Sequence, residues 1–197
     1  MVHRPGKVPI WIKIFLSLFL CVLVPVYWRH YGPSNFLWGS DIALFLIFAS
    51  AWSERPLFNS MAAIGVLPFE LIWAADFFSG ARLLDVTGYM FDDSVPLYLR
   101  GLSLYHLALP PLIVFLLLRL GYDRRALAAQ TLLAWIILPL CYLTTDPADN
   151  INFVFGPGKE PQTLLPPLLY LGLGMVLVPL AIYLPLHLLL HRLLGKG

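Results

Sequence analysis

The sequence predicts an all-α fold, a bundle of six transmembrane helices forming a single domain over residues 1–197. Three observations predict it. Hydrophobic residues make up 59% of the chain and charged residues 12%, with a mean hydropathy of +0.79, which excludes a soluble globular domain. The apolar residues come in runs long enough to cross a bilayer, divided by polar or Pro/Gly punctuation. Several runs carry isolated ionisable residues, which in hydrocarbon demand partners and mark functional sites.

The candidate spans lie at about 9–28, 36–52, 57–78, 96–119, 125–145 and 163–191. Met1-Val2-His3-Arg4-Pro5-Gly6-Lys7 before the first apolar run resembles a signal peptide. Phe19 and Leu20 precede Cys21 where lipoprotein processing needs a small residue, and no A-x-A-like site follows, so the segment is expected to be a retained first span. Ser34 or Asn35 can cap the second span, and Trp38 suits the interfacial belt. The third span carries Glu70, Trp73 and Asp76 at i, i+3 and i+6, and the loop after it contains Tyr89-Met90-Phe91, apolar enough to fold back onto the membrane surface.

The fourth span repeats that spacing with Arg100, Ser103 and His106, within about a third of the helix circumference. The fifth ends with Tyr142, Thr145 and Asp146 on one face. After it, Asn150 to Gly158 is too short to cross and too apolar to be simply solvated, and reads as a re-entrant or capping loop buried in protein. Pro166, Pro167, Pro179 and Pro185 predict a kinked last span.

An even number of spans puts both termini on one side. Of the 13 basic residues, Arg4, Lys7, Lys13, Arg55, Arg119, Arg124, Arg125, Arg192 and Lys196 fall on that side, against Arg29, Arg82, Arg100 and Lys159 on the other. The positive-inside rule then predicts a multi-pass protein of the bacterial inner (cytoplasmic) membrane with cytoplasmic termini. The net charge of +2 and the scattered basic residues exclude nucleic-acid binding.

At 1.5 Å rise per residue, Asp41 lies about 8 Å into its span, Glu70 about 12 Å from the outer end of its own, and His106 about 13 to 15 Å in. Rare polar residues of separate helices thus share a level in the outer half of the membrane, which predicts a polar cavity open to the outside. A carboxylate beside an imidazole fixes its tautomer and stabilises the imidazolium, as general base catalysis requires. The candidate catalytic residues are His106 as base, Asp41 or Glu70 as its orienting acid, and Ser40 as one of several possible nucleophiles beside Ser103, Thr144, Thr145, Cys141 or a water. Asp41 also suits a plain capping acid at a helix N-terminus.

Candidate substrate-binding residues are Asp76, Arg100, Ser103, Tyr142, Thr145, Asn150 and Asn152. Asp76 and Arg100 equally suit a structural ion pair near the interface, and Asn150 and Asn152 suit bonds to their own loop. No GxSxG, HExxH or glycine-rich phosphate motif is present, and no cofactor is expected. Cys21 and Cys141 form no CxxC pair. His187 and His191 have the i, i+4 spacing of a metal pair but read as interfacial histidines, so no metal is expected either.

Tyr31-Gly32-Pro33-Ser34-Asn35-Phe36-Leu37-Trp38, Gly121-Tyr122-Asp123-Arg124-Arg125-Ala126-Leu127 and Asn150-Ile151-Asn152-Phe153-Val154-Phe155-Gly156 resemble segments of a group of bacterial membrane-associated proteins. That likeness covers nearly the whole chain and implies no activity. More loosely, six spans, a His followed by a Pro (His106, Pro110) and an aromatic loop before the last span resemble the androgen-induced and YwaF-like integral membrane families. That resemblance implies an intramembrane hydrolase of lipid esters with His106 as the family histidine. The family's threonine lies in an early span, where this chain has Ser40 and Asp41.

Two functions follow as expectations. One is an intramembrane hydrolase or acyltransferase acting on lipid esters from the outer leaflet. The alternative is a non-catalytic membrane subunit of a larger complex, whose polar cavity holds a lipid headgroup, a quinone or a partner helix. Membrane lipids are the expected partners, joined in the second reading by a partner membrane protein.

Overall fold

The computed structural model describes residues 7–158 and 160–194. The leader-like residues 1–6, with Arg4, and the charge-tally positions Lys159 and Lys196 lie outside that range. Among the described residues the chain is helical and has no strand: α1 (Ile10–Tyr31), α2 (Gly39–Ser53), α3 (Pro56–Phe78), α4 (Leu97–Ser103), α5 (Tyr105–Leu120), α6 (Ala126–Thr144), α7 (Pro167–Val178) and α8 (Leu184–Leu194). Five helical stretches are long and apolar enough to cross a membrane, with α4 and α5 forming one and α7 to α8 another.

The central element is α3. Half of its apolar stretch is buried inside the protein, against 17% for the last stretch. It packs chiefly on α2, α5 and α6. Asn59, Ser60, Ala62, Ala63, Ile64 and Gly65 are all buried, and these mostly small residues let neighbouring helices approach closely. At Gly65 a Cβ would collide with the Gln130 side chain of α6. Large apolar side chains point outward instead: Phe78 is 77% exposed, Leu97 76% and Leu143 77%. Such a surface is stable only in hydrocarbon.

The two ends of the bundle differ. At one end Lys13 Nζ bonds Glu54 Oε1 at 2.8 Å, the Asp123 amide donates to Ser60 Oγ at 3.0 Å, and the Tyr122 hydroxyl meets His187 Nδ1 at 2.7 Å. These contacts gather the start of α1, the α2–α3 turn, the α5–α6 loop and α8, the basic-rich segments. Gly121 at φ 85° makes the tight exit from α5 into that loop. The opposite end carries the long loops after α3 and α6.

The second apolar run does not form a full span. A 3-10 turn at Pro33–Leu37 takes up its start, and α2 itself has 15 residues, so it begins inside the protein. No side chain of its own caps it. The cap comes from the loop after α6, where Asn152 Oδ1 accepts from the Gly39 amide at 2.9 Å and Asn152 Nδ2 donates to the Leu37 carbonyl at 2.7 Å. The capping loop expected from sequence is therefore present. Asn150 closes it on itself, accepting from the Phe155 amide and donating to the Gly156 and Gly158 carbonyls. Asn150 and Asn152 hold φ of 40° and 54°, a region asparagine tolerates. Asn152→Ala is expected to cost about 1–2 kcal/mol by orphaning both backbone groups, read as a lower thermal midpoint in detergent. Asn152→Asp, which keeps only the acceptor, should fall between.

Pro179 shapes the last helix. Pro179 has no amide hydrogen, so the Met175 carbonyl four residues earlier loses its helical partner. Trp135 Nε1 of α6 donates to that carbonyl at 2.8 Å, and the chain passes Pro179–Tyr183 as a π-helical turn. The expected kink is thus a widened turn fastened to α6.

Candidate functional site

Asp41, Glu70 and His106 come together at the end away from the basic loops. Asp41, in the first turn of α2, is 2% exposed, and Glu70, in the second half of α3, is 3% exposed. Burial at the N-terminus of α2 places the Asp41 carboxylate against the positive end of the helix dipole. Asn35 Nδ2 donates to its Oδ2 at 3.2 Å, while Oδ1 is buried with no hydrogen-bond partner among the described residues. Glu70 and the Tyr105 hydroxyl are its charged and polar neighbours, and Ser40 lies beside Tyr105.

His106 Nδ1 and Glu70 Oε2 are 2.9 Å apart, and the His106 side chain is 14% exposed. With Glu70 ionised, the carboxylate can only accept, so Nδ1 donates and the Nε2 lone pair is left for proton transfer. The imidazole is clamped between two rings, Trp73 at 4.6 Å and 16° and Tyr105 at 4.3 Å and 25°. Sequence reasoning paired Trp73 with Glu70 by spacing but gave neither Trp73 nor Tyr105 a role at the histidine.

The helix is interrupted between Ser103 and His106, at Leu104. The two residues accordingly do different work. Ser103 Oγ is 2.8 Å from the Tyr27 hydroxyl of α1, while His106 turns to α3. Tyr89, from the loop after α3, reaches the same cluster beside Ser103 and Trp73, and burial pushes its hydroxyl up to about 12, so it stays protonated. The Tyr89-Met90-Phe91 segment thus folds onto the protein's own end, with Met90 buried and Phe91 stacked on Phe77 at 5.5 Å.

The remaining candidates are placed elsewhere. Asp76 and Arg100 do not pair with each other. Asp76 accepts the amides of Leu83, Leu84, Asp85 and Thr87 and the Thr87 hydroxyl, because the loop wraps its amides around the end of α3. Arg100 reaches Asp93 at 3.5 Å and the Met90 carbonyl at 3.4 Å. Tyr142, Thr145, Asn150 and Asn152 belong to a second cluster around the capping loop. Tyr142 stacks on Phe155 at 5.1 Å, and the Thr145 hydroxyl turns back to the Cys141 carbonyl at 2.7 Å. Asn152 Nδ2 also approaches Cys141 Sγ at 3.4 Å. The Thr145 hydroxyl is thus satisfied within α6, and the Asn150 and Asn152 amides by the loop and the start of α2.

Among the described residues, no group of three or more His, Cys, Asp or Glu is arranged to hold a metal ion. His187 stacks on His191 at 5.9 Å and 8° rather than converging with it on one point.

A bundle that turns its large apolar side chains outward and buries Asp41 and Glu70 beside a half-buried His106 within one end is a helical membrane protein. No protein-family model, curated protein or solved structure matches the chain.

Proposed function

We propose that the protein works in the bacterial inner membrane, its basic end in the cytoplasm, as an intramembrane hydrolase or acyltransferase acting on lipid esters from the outer leaflet. The observation that carries this reading is the part-buried 2.9 Å contact between His106 Nδ1 and Glu70 Oε2. A carboxylate behind an imidazole is the arrangement of a general base, and its placement at the end opposite the basic loops corresponds, by the positive-inside rule, to the outer half of the bilayer. The loose sequence resemblance to the androgen-induced and YwaF-like families implies the same role for His106.

In this mechanism His106 Nε2 takes the proton of the attacking group, which is a water or the Ser40 hydroxyl, and returns it to the departing alcohol. Glu70 holds the tautomer and offsets the imidazolium charge. Tyr105, beside Asp41 and Ser40, donates toward the charge that develops on the ester. His106→Ala is expected to lower turnover of a lipid ester pool about a hundredfold or more while leaving the protein inserted and folded. Lipid profiles that match wild type in that variant and in a deletion strain overturn the enzymatic reading.

One observation favours the alternative, a lipid- or quinone-binding membrane subunit. Both faces of the imidazole are covered by rings, leaving its edge as the approach for a ligand. Co-purification of a stoichiometric membrane partner, with His106→Ala changing ligand retention but no lipid turnover, selects that alternative.

A further inference from the structure

A groove of about 380 Å³ opens beside α6 at the basic end, lined among others by Arg124, Leu127, Thr131, Trp135 and His187. A second section of about 310 Å³ continues it, sharing Leu127, Thr131 and Trp135 and adding the π-helical turn at Pro179. From Arg124 to Trp135 the groove follows α6 for about 16 Å, close to one leaflet's share of a hydrocarbon core about 30 Å thick. The Trp135 bond to the Met175 carbonyl fixes its floor, since it ties α6 to α7 where Pro179 left that carbonyl free.

The polarity of the groove is graded. Its far section is apolar, and its mouth is cationic. Arg125 is committed to Asp123 at 2.7 Å, whereas Arg124 makes no salt bridge among the described residues. His187 is held in place through Nδ1 by the Tyr122 hydroxyl, which leaves its other ring nitrogen for a ligand. We propose that this groove binds one anionic phospholipid, its phosphate at Arg124 and His187 and an acyl chain along Leu127, Thr131 and Trp135. A partner helix in the same place would have to bring a carboxylate to the mouth to offset the exposed Arg124 charge. An anionic headgroup supplies the counter-charge, and the chain beneath it matches the apolar floor. The site lies at the opposite end from His106 and does not depend on the catalytic reading.

Native mass spectrometry of the detergent-purified protein, titrated with phosphatidylglycerol or phosphatidylcholine of identical acyl chains, tests the proposal. Wild type is expected to hold one phosphatidylglycerol with roughly fivefold higher occupancy than phosphatidylcholine, the effect of one basic side chain near the headgroup. Arg124→Gln should abolish the preference, and Ala128→Phe, on the groove wall, should lower occupancy by both lipids. Arg125→Gln removes the same net charge beside the groove and should leave the preference intact. Equal binding of both lipids by wild type, an undiminished preference in Arg124→Gln, an equal loss in Arg125→Gln, or a homodimer that excludes lipid from this face each overturns it.

Discussion

Glu70→Gln is expected to keep the fold and lose roughly 10²- to 10⁴-fold in turnover, the range associated with a positioned acid–base group. The substitution preserves volume in a closely packed site, where Glu70 is 3% exposed, so the thermal midpoint should move little. What changes is the charge behind the imidazole. A neutral amide can still meet His106 Nδ1, but it does not stabilise the imidazolium that forms when Nε2 takes a proton. If the amide nitrogen rather than its oxygen faces Nδ1, the tautomer also reverses and Nε2 carries a hydrogen instead of a lone pair. Turnover and thermal midpoint measured together separate this from a packing defect. Wild-type turnover in a folded Glu70→Gln protein sinks the base assignment, whereas a large midpoint loss assigns Glu70 a structural role.

The convergence of Asp41, Glu70 and His106 was legible because depth is arithmetic: residue offset along a helix fixes height, and charges in hydrocarbon seek one another. Their aromatic surroundings were not. Whether Trp73 stacks on His106 depends on side-chain rotamers that spacing does not set. The start of α2 was hidden because hydropathy runs unbroken through Phe36, Leu37 and Trp38. Only the partnership with Asn152, more than a hundred residues away in sequence, shows why the helix can begin inside. The same distance explains why Asn152 resembled a ligand-binding residue. Asp76 was read against Arg100 because a buried acid in sequence suggests a cation; backbone amides are equally good partners and leave no mark in the residue pattern.

That use of backbone makes Asp76 the most consequential single residue outside the histidine dyad. It is fully buried, and four amides and one hydroxyl converge on its two oxygens. Asp76→Ala leaves all of them without an acceptor at once, and the expected cost is about 3 kcal/mol or more, since each orphaned donor costs about 1–3 kcal/mol unless water reaches it. The chain relieves that cost by releasing the loop, which frees Tyr89 from Ser103 and Trp73 and uncovers Phe77. Trypsin cleavage after Arg82 should then accelerate roughly a hundredfold, because local opening governs proteolysis of a segment whose bundle stays intact. Asp76→Asn, retaining one acceptor, should fall between. Asp93→Ala is the control: its carboxylate is 98% exposed and among the described residues meets Arg100 at 3.5 Å, so cleavage should change little. An unchanged cleavage rate in Asp76→Ala means the loop is held by its apolar contacts, Met90 and Phe91, and not by the carboxylate.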